Sequence, residues 1–144
     1  MEVDNRHILL VEDNPDDIEL TLMALEQSNI LNEVVVAEDG EKALELLLPD
    51  NGGAPDNELP AVVLLDLNMP KVGGLEVLRR VRKNERTRKL PVVILTSSKE
   101  DQDIIRGYEL GANSYIRKPV DFENFVEAVR QLGLYWLVLN EPPS

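Results

Sequence analysis

Four groups of polar residues follow short apolar runs, and their side chains are of the types that handle a phosphoryl group. They are Glu12-Asp13, Asp66, Thr96 and Lys118. A carboxylate can bind a divalent cation or attack phosphorus, whereas a hydroxyl and an ammonium can contact phosphoryl oxygens. If the fold brings these groups together, the chemistry that they favour is the formation of an aspartyl phosphate.

The three carboxylates also predict a metal site. Acids gathered at one place repel one another and raise at least one pKa unless a cation neutralises them. Because the candidate ligands are all oxygens and few are supplied, we predict a small hard cation that keeps some of its water, such as Mg²⁺. The chain has no cysteine and His7 is its single histidine, which disfavours a zinc site or a Ser-His-Asp site.

Short apolar runs rich in β-branched residues position these polar groups. Five of them predict strands: Ile8–Val11, Val34–Val36, Val62–Leu65, Val92–Leu95 and Asn113–Ile116. Their apolarity is continuous rather than alternating, which is typical of strands that are covered on both faces of a parallel sheet.

Segments of helical period separate the apolar runs. The first carries Ile18, Leu22 and Leu25 behind Asn14 as a possible N-cap and Pro15 at the first helical position. Four further stripes of this kind predict helices. Two of them begin after Gly40 and after Gly73-Gly74, the third contains Ile104, Ile105 and Tyr108, and the fourth runs from Phe122 to Leu132. This alternation predicts a doubly wound α/β fold with a five-stranded parallel sheet and helices on both faces.

In such a fold the polar groups meet at one edge, because ligands bind beyond the carboxyl ends of parallel strands. Each group alone has an ordinary explanation. Glu12-Asp13 could begin a helix, and Asp66 and Thr96 could cap a turn or a helix. Lys118 could be solvated, and Tyr115 could be a packed aromatic. Their convergence on one edge is what favours a functional site.

Composition limits the classes of partner. The chain has 144 residues, and its net charge of −12 disfavours nucleic acid and anionic membranes as partners. The basic stretch from Arg79 to Lys89 is interpreted as the solvated face and end of a helix. Without a signal peptide, a membrane-length apolar run or cysteine, we expect a cytoplasmic protein.

Two segments stand outside the alternation of strands and helices. Residues 49–60 form a loop rich in Pro, Gly, Asn and Asp, and Leu134–Leu139 form an apolar strip. We expect a single domain over residues 1–144 with a C-terminal apolar extension at 134–144. The strip either packs on its own sheet or forms a homodimer with Tyr135, Trp136 and Leu137 at the interface; we favour the dimer.

The sequence resembles the receiver domain of two-component response regulators over about residues 6 to 133. The resemblance rests on six segments: Leu10-Val-Glu-Asp-Asn14, Leu65-Asp-Leu-Asn-Met-Pro70, Gly73-Gly74, Leu95-Thr96-Ser97, Gly111-Ala112 and Tyr115-Ile-Arg-Lys-Pro119. It implies the flavodoxin-like strand order 2-1-3-4-5. It also implies no enzymatic turnover beyond the protein's own phosphotransfer and dephosphorylation.

The resemblance assigns roles to the acids. It makes Asp66 the phosphoacceptor for a histidine kinase. It also implies that Asp13, Asp66 and the backbone carbonyl of Asn68 ligate Mg²⁺. Glu12 would act through a metal-bound water; the family often has Asp at that position.

It also assigns roles to the remaining groups. Lys118 would pair with the phosphoryl oxygens, positioned by a cis peptide bond to Pro119. Thr96 would swing towards the phosphoryl group and Tyr115 would turn inward behind it, which makes these two residues the switch.

More narrowly, the loop at 49–60 and the tail resemble single-domain regulators that are paired with cyanobacterial phytochromes. We therefore expect a phytochrome kinase as the partner, and signalling through the protein's own surface without an output domain.

Three other functions fit the sequence less well. A phosphatase of the haloacid-dehalogenase type also uses a strand-end Asp and Mg²⁺, but it places that Asp on the first strand and requires a second Asp where this chain has Asn68. A binding module that works without phosphorylation would not require the full set of acids, hydroxyl and lysine. A flavin-binding protein would require a phosphate-cradling loop where this chain has Glu12-Asp13.

Overall fold

Strands and helices alternate along the chain in a computed structural model that describes residues 6–27, 30, 32–48, 59–67, 69, 72–96, 106–118 and 120–132. In chain order the elements are β1 (Ile8–Val11), α1 (Pro15–Gln27), β2 (Val34–Ala37), α2 (Gly40–Leu47), β3 (Val62–Asp66), α3 (Gly74–Lys83), β4 (Val92–Thr96), α4 (residues 106–109), β5 (Ser114–Arg117) and α5 (Phe122–Leu132). The bounds agree with the apolar runs to within one or two residues.

The five strands form one parallel sheet in the order β2-β1-β3-β4-β5. All four strand pairs are parallel, so the predicted fold class and strand order are confirmed. β1, β3 and β4 are buried on both faces, whereas β2 at the edge is only partly buried. Continuous apolarity therefore marks the covered strands most strongly.

Alternate residues of the strands point to opposite faces and build two cores. One core joins even-numbered positions such as Leu10 and Leu64 to α1 and α5 through Leu25 and Phe125. The other joins odd-numbered positions of β1 and β3 and even-numbered positions of β4 to α2 and α3. The helices therefore cover both faces of the sheet, as predicted.

The start of α1 agrees with the sequence, but one residue of its predicted apolar stripe is exposed. Asn14 Oδ1 accepts the backbone N–H groups of Asp16 at 2.9 Å and Asp17 at 3.2 Å, so the N-cap of α1 is confirmed. Leu22, however, was predicted to face the core and is 38% exposed. The other two residues of the stripe are confirmed: Leu25 is buried, together with Thr21 and Ala24, and Ile18 packs against the core.

The end of α3 carries a second difference. Arg82 was placed on a solvated face, but it donates hydrogen bonds to Gly111 O at 2.9 Å, Arg88 O at 3.1 Å and Asn113 Oδ1 at 2.9 Å. Asn113 Oδ1 also accepts the backbone N–H of Val92 at 2.9 Å. Arg82 thus ties the end of α3 to the turn before β5.

Within the part of the chain that the structure describes, no helix is long and apolar enough to cross a membrane. The predicted loop lies almost wholly outside that part, and so do residues 133–144. The predictions for Tyr135, Trp136 and Leu137 therefore fall outside the described residues.

Candidate functional site

The register of the sheet brings the predicted strand ends to one edge. Val11 pairs with Leu65, so the next residues, Glu12 and Asp66, lie at the same level of neighbouring strands. On the other side of β3, Asp66 pairs with Leu95, which places Thr96 one residue farther along its strand. The edge predicted from sequence is thus the edge at which these side chains meet.

The acids form a compact group. Glu12, Asp13 and Asp66 each offer a carboxylate oxygen, and these oxygens lie within 4.8 Å of one another. Glu12 and Asp66 are buried, whereas Asp13 is exposed. Buried carboxylates this close cost free energy unless cations compensate them. The group therefore fits a hard divalent cation by its donor chemistry, with Asp13 as its solvent-facing member.

Lys118 supplies a cation inside this acidic group. Its Nζ lies 2.6 Å from Glu12 Oε1, 3.1 Å from Asp17 Oδ2 and 3.3 Å from Asp66 Oδ1. Burial by itself would lower the pKa of Lys118, but the hydrogen bond to Glu12, the charge of Asp66 and the hydrogen bond to Asp17 outweigh it and raise the pKa. The ammonium therefore stays charged beside Asp66.

Glu12 is held on both sides of its carboxylate. Its Oε2 accepts the backbone N–H groups of Asp13 at 3.1 Å and Asn14 at 3.3 Å, while Oε1 contacts Lys118. Burial, followed by hydrogen bonding with Asp66, raises the pKa of Glu12 to about 7, although Lys118 acts in the opposite direction. The charge of Lys118 alone therefore does not offset the effects of burial and of Asp66 on the pKa of Glu12.

Thr96 and Tyr115 point towards the face of the sheet that α2 and α3 cover. Leu95 and Ile116 belong to the core under α1 and α5, so by alternation their neighbours Thr96 and Tyr115 point towards the face of α2 and α3. Thr96 is fully buried, and its backbone carbonyl accepts the N–H of Lys118 at 2.8 Å. The two predicted switch residues thus share a face, next to the acidic group.

The start of α3 lies against the end of β3. Gly74 N donates to Leu67 O at 3.2 Å, and a Cβ at Gly74 would lie only 2.3 Å from Asp66 O. No other residue type fits without moving one of the two backbones. Gly74 therefore brings the loop that follows Asp66 close to the acidic group.

Sequence reasoning missed Asp17, the third carboxylate on Lys118. Asp17 lies in the first turn of α1, where acids are common, so its type alone carries no signal. The signal that could have found Asp17 is its helical spacing from the N-cap Asn14, which places it above the strand ends. Two predicted site features, the Asn68 carbonyl and the peptide bond to Pro119, lie outside the described residues.

Comparison with known proteins agrees with this geometry. The family model for the response regulator receiver domain matches residues 8–130. The probable methanogenesis regulatory protein FilR2 of Methanothrix harundinacea (strain 6Ac) is 42% identical over 137 residues, which cover 95% of this chain and 87% of FilR2.

Solved structures are similar over nearly the whole chain. The bacteriophytochrome response regulator RtBRR superposes with a TM-score of 0.81 and 50% identity, covering 97% of this chain and 85% of that one. The Mn²⁺-bound form of response regulator Rcp1 gives a TM-score of 0.73 and 35% identity, with 96% and 99% coverage.

Proposed function

Because this chain belongs to the response regulator receiver domain family, we propose that Asp66 accepts a phosphoryl group from the phosphohistidine of a histidine kinase. An Asp66 carboxylate oxygen forms the new O–P bond while the P–N bond breaks, and the imidazole nitrogen keeps the electron pair. The observation that carries the proposal is the Lys118 ammonium, 3.3 Å from Asp66 Oδ1 and also in contact with the carboxylates of Glu12 and Asp17.

Besides compensating the carboxylates, Lys118 has a role towards phosphoryl oxygens. Its Nζ already contacts Asp66 and Glu12, so a phosphoryl group on Asp66 would arrive beside an existing cation. A buried ammonium stabilises developing negative charge without reorganisation at the moment of transfer. We assign Lys118 to that role.

We propose that Mg²⁺ is the metal of this site. Asp13, Asp66 and the backbone carbonyl of Asn68 would ligate it, and Glu12 would act through a water molecule. The close carboxylate oxygens support this assignment, as does the Mn²⁺ named for Rcp1. The cation would neutralise charge on the phosphoryl oxygens while Asp66 positions them.

Signalling is assigned to Thr96 and Tyr115. A phosphoryl group on Asp66 would draw the Thr96 hydroxyl towards it, and Tyr115 would turn inward behind Thr96. Both residues lie on the same face of the sheet, which supports a coupled movement. A new local charge would thus alter the surface formed by α4 and β5.

The kinase is proposed to be a phytochrome, because RtBRR, at 50% identity, is named a bacteriophytochrome response regulator. On this proposal the protein is a cytoplasmic phosphoprotein and signal carrier rather than an enzyme acting on a separate substrate. Transfer from a purified, autophosphorylated phytochrome kinase, compared with unrelated histidine kinases, would test the partner. Equal transfer rates from all kinases would contradict the proposal.

Intact mass spectrometry tests the phosphoacceptor directly. Incubation with a small phosphodonor and Mg²⁺ should add one phosphoryl group, labile to base and to hydroxylamine, to the wild type and none to Asp66→Asn. Asp16→Asn is the matched control, because Asp16 is an exposed acid of α1, and it should be phosphorylated normally. Absence of the group from the wild type, or its presence on Asp66→Asn, would overturn the assignment.

Homodimerisation through Tyr135, Trp136 and Leu137 is a separate proposal, supported by the apolar composition of the tail. Light scattering with size exclusion at micromolar concentration should give the dimer mass for the wild type and a lower mass for Trp136→Ala. A monomer mass for the wild type, with or without phosphorylation, would refute it.

A further inference from the structure

Tyr115 has an aromatic neighbour that the proposed switch does not use. The ring centroids of Tyr108 and Tyr115 lie 6.1 Å apart and their planes make an angle of 81°, which is an edge-to-face contact. Aromatic pairs prefer this geometry because the positive edge of one ring meets the negative face of the other. Tyr108 belongs to α4 and is 45% exposed, so it is not a core residue.

The backbone beside Tyr108 packs against a side chain of β4. A Cβ at Gly107 would lie 2.2 Å from Ile94 Cδ1, so α4 lies directly on β4 at this point. Ile94 is the register partner of Tyr115. The fold therefore holds the start of the Tyr108 side chain next to Tyr115, and the contact between the rings follows from that arrangement.

The hydroxyl of Tyr108 is also engaged. Burial and the neighbouring Tyr115 raise the pKa of the Tyr108 phenol, while its hydrogen bond with the Ser114 side chain acts in the opposite direction. Ser114 is buried at the start of β5. Tyr108 thus contacts β5 at two positions, through its ring and through its hydroxyl.

We infer that Tyr108 is a positioning residue that holds Tyr115 in its present orientation and so sets how readily the switch turns. This inference rests on the proposed function, in which Tyr115 turns inward behind Thr96. On this inference, turning inward would take the Tyr115 ring away from Tyr108, and the loss of the edge-to-face contact would oppose the movement. Phosphorylation must therefore overcome the Tyr108 contact as well as move Thr96.

Fluorine NMR of protein labelled with 3-fluorotyrosine tests this without phosphorylation. The chain has three tyrosines, and Tyr115→Phe identifies the signal of Tyr115. Wild type treated with Mg²⁺ and beryllofluoride, a phosphoryl mimic, gives the reference for the inward orientation. In untreated protein, Tyr108→Ala should raise the inward-to-outward ratio of Tyr115 about two- to tenfold, the range expected for one aromatic edge contact.

Tyr108→Phe is the matched control, because it keeps the ring and removes only the hydroxyl. Its ratio should stay close to that of the wild type. Equal ratios in Tyr108→Ala and Tyr108→Phe would overturn the inference, provided that thermal melts show both variants to be folded. Failure of the proposed function is seen separately, as absence of a phosphoryl group on wild-type Asp66.

Discussion

Lys118 is the residue on which the electrostatics of the site depend. Its side chain is 9% exposed, and those of Glu12 and Asp66 are 0% and 2% exposed. Removing one partner of a buried ion pair leaves the other charge without compensation, and this costs far more than losing an exposed pair. The buried carboxylates therefore require a compensating cation, and Lys118 supplies one from the described part of the chain.

Replacing that cation should destabilise the protein. We expect Lys118→Met to lower the free energy of unfolding of the metal-free protein by about 3–5 kcal/mol. Part of this loss should be recovered by Mg²⁺, because Mg²⁺ bound as proposed would compensate the same carboxylates. Urea unfolding with chelator and with saturating Mg²⁺ measures both effects.

Lys42→Met is the control, because Lys42 pairs with Glu45 at 3.9 Å with both side chains over 60% exposed. It should change the free energy of unfolding by no more than about 0.5 kcal/mol. Equal losses in the two variants would show that the buried cation has no special role.

Glu12 makes the stability of the metal-free protein depend on pH. Its pKa rises from 4.5 to about 7 on folding, so the folded state holds the proton more tightly than the unfolded state does. The resulting stabilisation is complete below pH 4.5 and is lost as the pH rises through 7. The free energy of unfolding should therefore fall across this interval.

Comparison with Glu12→Gln isolates the effect, because Gln cannot titrate and His7 contributes equally to both proteins. The difference in free energy of unfolding between wild type and variant, followed by urea unfolding in chelator, should shift in favour of the variant as the pH rises. A constant difference across this interval would contradict the prediction.

At the scale of elements, the site depends on α3 starting directly against β3. A Cβ at Gly74 would lie 2.3 Å from Asp66 O and 2.7 Å from Leu67 Cα, whereas the nearest atom to a Cβ at Gly73 is 3.7 Å away. The two neighbouring glycines thus differ sharply in the space around them. The helix can approach Asp66 only where the side chain is absent.

Gly74→Ala should therefore move α3 away from Asp66. We expect a loss of about 1–3 kcal/mol in the free energy of unfolding, as for other overpacked positions, together with slower phosphoryl uptake at Asp66. Urea unfolding and intact mass over time measure the two effects. Gly73→Ala is the control and should change both much less; similar effects of the two substitutions would count against the packing argument.

At the scale of the whole molecule, the net charge of −12 places the proposed cation site in a negative field. That field favours Mg²⁺ in dilute salt, and added salt screens it. Raising NaCl from about 20 to about 200 mM should weaken Mg²⁺ binding by about three- to tenfold. Calorimetric titration measures the affinity, and an uncharged osmolyte is the control. An affinity that does not change with salt would exclude a role for the overall charge.

Much of the fold and of the edge that carries the site could be predicted from the sequence. Continuous apolar runs predict buried parallel strands, and parallel strands bring their carboxyl ends to one edge. Glu12, Asp66, Thr96 and Lys118 each follow or end such a run, so their placement at this edge follows from the pattern, whereas the strand order decides which of them are neighbours. Neither step requires knowledge of how the helices pack.

The contacts between distant side chains were decided only by the tertiary structure. Lys118 meets Asp17 across 101 positions of sequence, and Arg82 meets Gly111 across 29. Such pairs depend on how each helix is rotated and how closely it approaches the sheet. The apolar pattern does not determine either quantity, as the exposed side chain of Leu22 shows. The edge-to-face contact of Tyr108 with Tyr115 has the same origin. Strand pattern thus determined where the chemistry is placed, while helix packing decided which side chains meet there.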